Sequence, residues 1–240
     1  MIDFRHHHKS ISEKGFTVIE DIYTDEEIGG IITLIDETDQ SNPTFRKTKD
    51  LFAIRQFLKE VPNVKQTTFS DRLISIINNL FGKGYFIVKS IYFDKPEESN
   101  WFVAYHQDLT ISVDKKVDLP GYGSWTNKQN QFAVQPPIKI LENNFTIRIH
   151  LDDTDENNGA LKVVSGSHLK GIYRAENIDW SEEREEICEV DRGWIMIMRP
   201  LLMHASERTT NNKRRRVIHI EFSNTELPKE IDWAELDRIL

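Results

Sequence analysis

The hydrophobic period of this chain changes near Tyr85, and that change limits the folds open to it. From there on, apolar residues recur at every second position or run continuously through Tyr85–Phe93, Trp101–Val113, Phe145–Leu151, Ala160–Val164, Gly193–Met198 and Val217–Phe222. Strand side chains alternate between faces, so each run predicts a strand. Six strands joined by turn-rich connections predict an antiparallel sandwich or barrel.

Before Tyr85 the period is mostly helical. Gly15–Ile19 is a short β-branched run that predicts one strand. Thr24-Asp-Glu-Glu27 is a capping box, and Ile28, Ile31, Ile32 and Ile35 share one helix face behind it. Gly29-Gly30 opposes that helix by about 1 kcal/mol per glycine. A polar stretch over 38–50 with Pro43 predicts a loop, and Leu51, Ile54, Arg55 and Leu58 predict a short helix before Pro62. Ser70 as N-cap, the stripe Leu73, Ile76, Ile77 and Leu80, and Gly82 as terminator predict another. At 240 residues one domain is expected, with 1–84 as helical support, 85–223 as the β core and 224–240 as a tail. The connection 114–144 is long for a compact domain, which points to a binding loop or lid. Its aromatic residues Tyr122, Trp125 and Phe132 favour a lid that packs on something.

Charge and cysteine content narrow the partners. With 31 basic and 39 acidic residues, net −8, and one basic cluster at Lys213–Arg216, nucleic acid is not an expected partner. The single Cys188 has no intramolecular disulfide partner, which suits a reducing compartment. The first residues lack a signal-peptide core and no apolar run is long enough to span a bilayer, so a cytoplasmic protein without a membrane partner is expected. His6 to His8 suit a solvated polar segment better than a metal tract.

The chemistry-bearing residues begin with His106-Gln107-Asp108. On a strand, residues two apart share a face, so this imidazole and this carboxylate converge. They can occupy two corners of a metal's coordination sphere, to which a second imidazole would add the third group of the two-His-one-carboxylate set of non-haem Fe(II) enzymes. The tripeptide alone equally describes a surface pair at a strand end. His204, after the Gly193–Met198 strand, can supply that imidazole or be structural. Eleven positions later Arg215 opens a further strand. Aimed inward, its guanidinium can hold a carboxylate by two parallel hydrogen bonds, as a dicarboxylate such as 2-oxoglutarate requires. Arg214 reads as part of a solvated basic run.

Together these segments resemble the phytanoyl-CoA dioxygenase family of Fe(II)- and 2-oxoglutarate-dependent oxygenases. His106-Gln-Asp108 matches its H-x-D, and Asp152 to His168 resembles its D-x-x-x-E-N-G-x-L-x-V-x-P-G-S-H signature. His204-Ala-Ser206 matches its H-x-S, and Arg215 falls at the usual distance beyond. The resemblance covers roughly residues 85–223. It implies a mainly β protein with a double-stranded β-helix core, the jelly-roll or cupin-like architecture, supported by N-terminal helices. It makes His106, Asp108 and His204 the iron ligands and catalytic centre, and Arg215 with Ser206 the holders of the distal carboxylate of 2-oxoglutarate. Lys89 stands where relatives often place a polar residue touching that co-substrate, although an ordinary solvent-facing lysine fits as well. His168, Asn157, Asn158 and Gly159 fall in structural turns. Ser165 replaces the family's proline.

Arg148 stands where some relatives carry tryptophan lining the co-substrate pocket. An inward Arg148 needs a carboxylate partner from a side chain, the co-substrate or the substrate, because a buried unpaired charge is costly. His150, on the same face, suits a satisfied core histidine. The implied function is a dioxygenase that uses Fe(II), 2-oxoglutarate and O2 to hydroxylate or otherwise oxidise a C–H bond of a small molecule, releasing succinate and CO2. Retention of Asp108 argues against halogenation. The alternatives are a non-catalytic metal- or ligand-binding jelly roll and a zinc-dependent hydrolase at the same triad. Arg215 and Ser206 favour the oxygenase. The 114–144 connection and Arg148 are expected to select the substrate, and the oligomeric state is left open.

Overall fold

The computed structural model describes residues 2–238 except 40, 43, 49–51, 98, 100, 129 and 130. It begins with α1 (Phe4–Lys14), β1 (Phe16–Ile19), α2 (Asp25–Asp36), β2 (Phe45–Lys47) and β3 (Phe52–Arg55). Three helices follow: α3 (Phe57–Glu60), α4 (Val64–Thr68) and α5 (Asp71–Phe81). The chain then runs through β4 (Phe86–Lys95), β5 (Val103–His106), β6 (Ile111–Val113), β7 (Gly123–Lys128), β8 (Gln131–Gln135) and α6 (Ile138–Asn143). It closes with β9 (Phe145–His150), β10 (Leu161–Val164), β11 (Glu185–Cys188), β12 (Ile195–Met198), β13 (His204–Ser206) and β14 (Arg215–Ser223).

The expected helix ends form as the residues dictate. The Thr24 hydroxyl accepts from Glu27 N at 3.2 Å while the Glu27 carboxylate accepts from Thr24 N at 2.7 Å. Gly29 and Gly30 are tolerated in α2, where a Cβ would meet nothing within 4 Å. Ser70 caps α5, and Gly82 ends it at φ +84°.

Strands pair antiparallel in a seven-stranded sheet ordered β1-β12-β9-β14-β4-β3-β2 and a four-stranded sheet ordered β11-β10-β13-β5. Leu161, Val163 and Cys188 of the smaller sheet pack against Phe16, Met196 and Met198 of the larger. The two therefore face each other as the layers of a jelly roll, the mainly β architecture the family resemblance implied. The far side of the larger sheet is covered by helices. There Ile147, Ile149, Ile218 and Ile220 meet Ile28, Ile31, Leu73, Ile76 and Ile77. With both faces covered, every residue of β9 is buried, which is why it reads as a continuous run.

The segment expected as a helix through Leu51–Leu58 is otherwise. Leu51, like Pro43, lies outside the described residues, and Phe52–Arg55 is strand β3, paired with β4 through Arg55↔Ile91. Ile54 points to the helical core while Ala53 and Arg55 line the opposite side. That two-residue alternation competes with the helical spacing, and pairing to β4 decides it. Gln56 at φ 52° then turns the chain into α3.

The 114–144 connection folds into β7, β8 and α6, and a third sheet is ordered β6-β8-β7. Tyr122, Trp125 and Phe132 pack on a separate cluster with Ile231 and Trp233 of the C-terminal tail. None of its described residues lines the cavity where His106 and His204 meet; the β2–β3 pair and Trp101–Val103 form that rim instead.

Candidate metal centre and anion pocket

His106 closes β5 and His204 opens β13, and they are direct partners in the ladder between those strands. Their separation in sequence disappears because the two strands are neighbours. Asp108 lies just beyond β5. The buried Gln107 amide donates to Gly171 O and Leu201 O and accepts from Tyr173 N, and Asp108 N donates to Pro200 O at 2.9 Å. These bonds take the chain off the sheet after His106 and hold Asp108 beneath the two imidazoles.

Asp108 Oδ1 is 4.0 Å from His106 Nε2, and Oδ2 is 3.9 Å from His204 Nε2. One ligand atom from each of the three lies within 4.8 Å of the others. Bonds to a first-row ion are about 2.1 Å, so atoms up to about 4.2 Å apart can share one. His106 Nδ1 donates to Ala104 O at 2.9 Å and His204 Nδ1 to Leu202 O at 2.8 Å. Each bond fixes the tautomer that leaves Nε2 with a lone pair facing the centre. Burial lowers His204 to about 4, against the opposing pull of Asp108. Burial would raise Asp108, but His204, Lys89, His219 and His106 outweigh it and hold the carboxyl at about 2. The two Nε2 atoms and the Asp108 carboxylate form a donor set of the kind a divalent ion takes. The residues present fit a metal.

The same cavity, about 400 Å³, is lined by Arg215, Ser206, Arg148 and Lys89. Alternation along β14 separates its arginines. Arg214 pairs with Asp94 through two hydrogen bonds and Arg216 with Asp152 likewise; Arg214 is exposed, as expected, and is paired as well. Arg215 points the other way, into the cavity, and is only 4% exposed. Its Nη1 donates to Gly159 O and its Nε has no partner. Ser206 Oγ donates to the same carbonyl at 2.9 Å. Gly159 sits at φ +90°, and a Cβ there would stand 2.6 Å from Lys95 Nζ and 2.8 Å from Glu207 O. Only glycine fits this crossing. Burial and then Arg148 push Arg215 down to about 9, while burial and then Arg215 push the enclosed Lys95 to about 7. Here cations are buried without a carboxylate, the condition that an anion relieves.

Arg148 does point inward and is 7% exposed. Its Nη1 donates to His219 Nδ1 at 3.2 Å and its Nε is unpartnered. His219 Nε2 donates to Glu221 at 3.1 Å, and Lys89 Nζ donates to the same carboxylate at 2.6 Å. Burial opposes the Lys89 charge, but Glu221 and Asp108 retain it. Lys89 is thus neither solvent-facing nor unpaired. No side-chain carboxylate pairs with Arg148 among the described residues. His150 is half satisfied: Nδ1 donates to Thr154 Oγ1 at 2.8 Å while Nε2 has no partner, and burial keeps the ring neutral. His168 lies away from the cavity, with Nε2 on Ser12 O at 3.3 Å.

His219 and Glu221 escaped the sequence reading, yet with Asp108 they form a second close group of ligand-type atoms. Their spacing from Arg215, two residues at a time along one strand, was the available signal. Arg46, Arg55, Ile91, Phe93, Trp101 and Val103 complete the rim, and no local spacing marked them.

A family model described as phytanoyl-CoA dioxygenase matches residues 11–217. No curated protein matches the chain. Among solved structures, EctD from S. alaskensis in its apo form has 16% identity and a TM-score of 0.72, over 95% of this chain and 80% of that one. The non-haem α-ketoglutarate-dependent carbocyclase SnoK from nogalamycin biosynthesis has 14% identity and a TM-score of 0.69, over 92% and 84%. HygX from Streptomyces hygroscopicus, with nickel, 2-oxoglutarate and hygromycin B bound, has 17% identity and a TM-score of 0.64, over 92% and 87%. At these identities the likeness establishes the fold.

Proposed function

This chain belongs to the phytanoyl-CoA dioxygenase family, and on that premise we propose that it hydroxylates a C–H bond of a small-molecule substrate. The cofactors are those of the family: Fe(II), 2-oxoglutarate as co-substrate and O2. When bound, they supply the oxidation: 2-oxoglutarate loses CO2 to become succinate, and the second oxygen atom of O2 is available for the substrate. His106, Asp108 and His204 hold the metal through Nε2, a carboxylate oxygen and Nε2. Arg215 and Ser206 hold the distal carboxylate of 2-oxoglutarate. Arg148 adds a second positive charge on the same wall. Lys89 and Glu221 neutralise each other beside the centre, and through His219 they hold Arg148 in place. The layered sheets and the covering helices keep bulk water from the back of the cavity, which strengthens each of these interactions.

The observation that carries this reading is the juxtaposition of a three-ligand centre with Arg215, a buried arginine whose Nε has no partner, in one cavity. A hydrolase at the same triad has no use for that anion clamp. SnoK is described as a carbocyclase, so 2-oxoglutarate-dependent oxidation on this fold has outcomes other than hydroxylation, and product analysis distinguishes them.

The test is reconstitution with Fe(II), 2-oxoglutarate and O2, with succinate measured and His106→Ala as control. Succinate is expected from the wild type alone, together with an anaerobic visible charge-transfer band on adding 2-oxoglutarate. Absence of both would overturn the oxygenase reading.

A further inference from the structure

Arg46 and Arg55 have no role in the chemistry above, yet both line its cavity. They are placed there by the larger sheet. Arg46 is the ladder partner of Ala53, which is two residues before Arg55 on β3 and so on the same face. The cavity-facing row from Arg55 continues across the strands as Ile91, His219 and Arg148. The rim therefore belongs to the same sheet face as the anion pocket.

Neither guanidinium makes an ion pair or hydrogen bond among the described residues. Burial and then Arg46 lower the Arg55 pKa, as expected of two like charges held close together. Glu235 acts on Arg55 in the opposite sense, but its carboxylate accepts from Ser90 N at 3.0 Å and Ser90 Oγ at 2.6 Å.

The negative charges of a loaded site are used up without these two residues, and Arg148 is already left over. Fe(II) and Arg215 are balanced by Asp108 and the two carboxylates of 2-oxoglutarate, and Lys89 is balanced by Glu221. Assigning Arg148 to the co-substrate still leaves Arg46 and Arg55 with no counter-charge. This concentration of cations stands against a chain of net charge −8, so composition does not explain it. Ile91, Phe93, Trp101 and Val103 give the cavity that holds the arginines and the metal ligands an apolar part to its lining.

We infer that the substrate is an amphiphile with an apolar body and an oxyanion, a carboxylate or a phosphate, that docks on Arg46 and Arg55. The apolar body then lies along Ile91, Phe93 and Trp101 toward the metal ligands. This rests on the oxygenase reading. Guanidinium pairs suit either oxyanion through parallel charge-assisted hydrogen bonds.

The test uses 3-phenylpropionate, phenyl phosphate and the neutral 3-phenylpropionamide as probes. Each is titrated calorimetrically into the protein loaded anaerobically with Fe(II) and 2-oxoglutarate. At least one anion is expected to bind tenfold or more tightly than the amide, and the preferred one names the substrate's group. Arg55→Leu and the exposed Arg46→Gln are each expected to weaken that anion about tenfold, with 2-oxoglutarate affinity unchanged. Binding of the amide as tight as the anions, no binding of either anion, or unchanged anion affinity in both variants overturns the inference. Failure of the wild type to bind 2-oxoglutarate overturns the oxygenase reading instead.

Discussion

His106 and His204 face each other across the β5–β13 ladder, and each donates its Nδ1 proton to the carbonyl two residues before it. One local device, used twice, turns both Nε2 lone pairs toward Asp108. His106→Ala and His204→Ala should each reduce Fe(II) affinity by more than the roughly 10–100-fold cost of losing an outer hydrogen-bond partner. Equilibrium dialysis with Fe(II) under argon measures this. Wild-type affinity in either variant would remove that histidine from the ligand set.

Arg215 should be a residue the fold keeps at a cost. Its charge is buried without a carboxylate, and exchanging a buried ion for an apolar residue of similar volume is often neutral or stabilising by about 1–4 kcal/mol. Arg215→Met is therefore expected to leave the ligand-free protein at least as stable to urea while raising the KM for 2-oxoglutarate tenfold or more. Arg215→Lys should recover little of that loss, because an ammonium does not reproduce the planar fork. An unchanged KM in both variants would exclude Arg215 from co-substrate binding.

Gly159→Ala tests the crossing beneath the anion pocket. The alanine must adopt φ +90° and bring its Cβ toward Lys95 Nζ and Glu207 O. Left-handed backbone alone costs about 1–2 kcal/mol for a non-glycine residue. With the steric conflict, Tm should fall by roughly 4–8 °C, since 1 kcal/mol is about 2–4 °C at this size. Gly159 O also accepts from Ser206 and Arg215, so 2-oxoglutarate binding should weaken in parallel. A Tm within a degree of wild type contradicts the close approach.

Glu235 gives stability a pH dependence away from the metal ligands. Burial raises its pKa to about 7, against Ser90, Lys59 and Lys89, which act to lower it. The folded protein keeps a proton that the unfolded chain releases near 4.5. That contribution, about 3 kcal/mol, is fully present below about 4.5 and is lost as pH rises through about 7. Glu235→Gln stays neutral and can still accept from Ser90. Its stability relative to wild type should therefore rise between pH 4.5 and 7.5, as followed by urea denaturation; parallel pH profiles would refute this.

Much of the candidate site was legible locally. His106, Asp108, Ser206 and Arg215 were readable because their chemistry lies in residue type at spacings of two or eleven positions. The capping box at Thr24 and the α5 stripe were readable for the same reason, since turns and periods are local. Phe52–Arg55 was misread because its apolar residues satisfy a helix and a strand alike, and β4 supplies the deciding hydrogen bonds. The 114–144 segment showed aromatic residues but not their partners, which come from the C-terminal tail at Ile231 and Trp233.

The sequence by itself determined the chemical inventory: two imidazoles, a carboxylate and an arginine in strand-forming surroundings. Only the tertiary structure decided which charges remain unpaired. Arg214 and Arg216 are neutralised by Asp94 and Asp152, whereas Arg215, between them, has no carboxylate. Strand alternation sends neighbours to opposite faces, but only sheet packing determines which face holds a partner and which opens into a cavity. The same holds at the rim, where pairing of β2 and β3 onto β4 carries Arg46 and Arg55 from distant sequence to the cavity that holds the metal ligands.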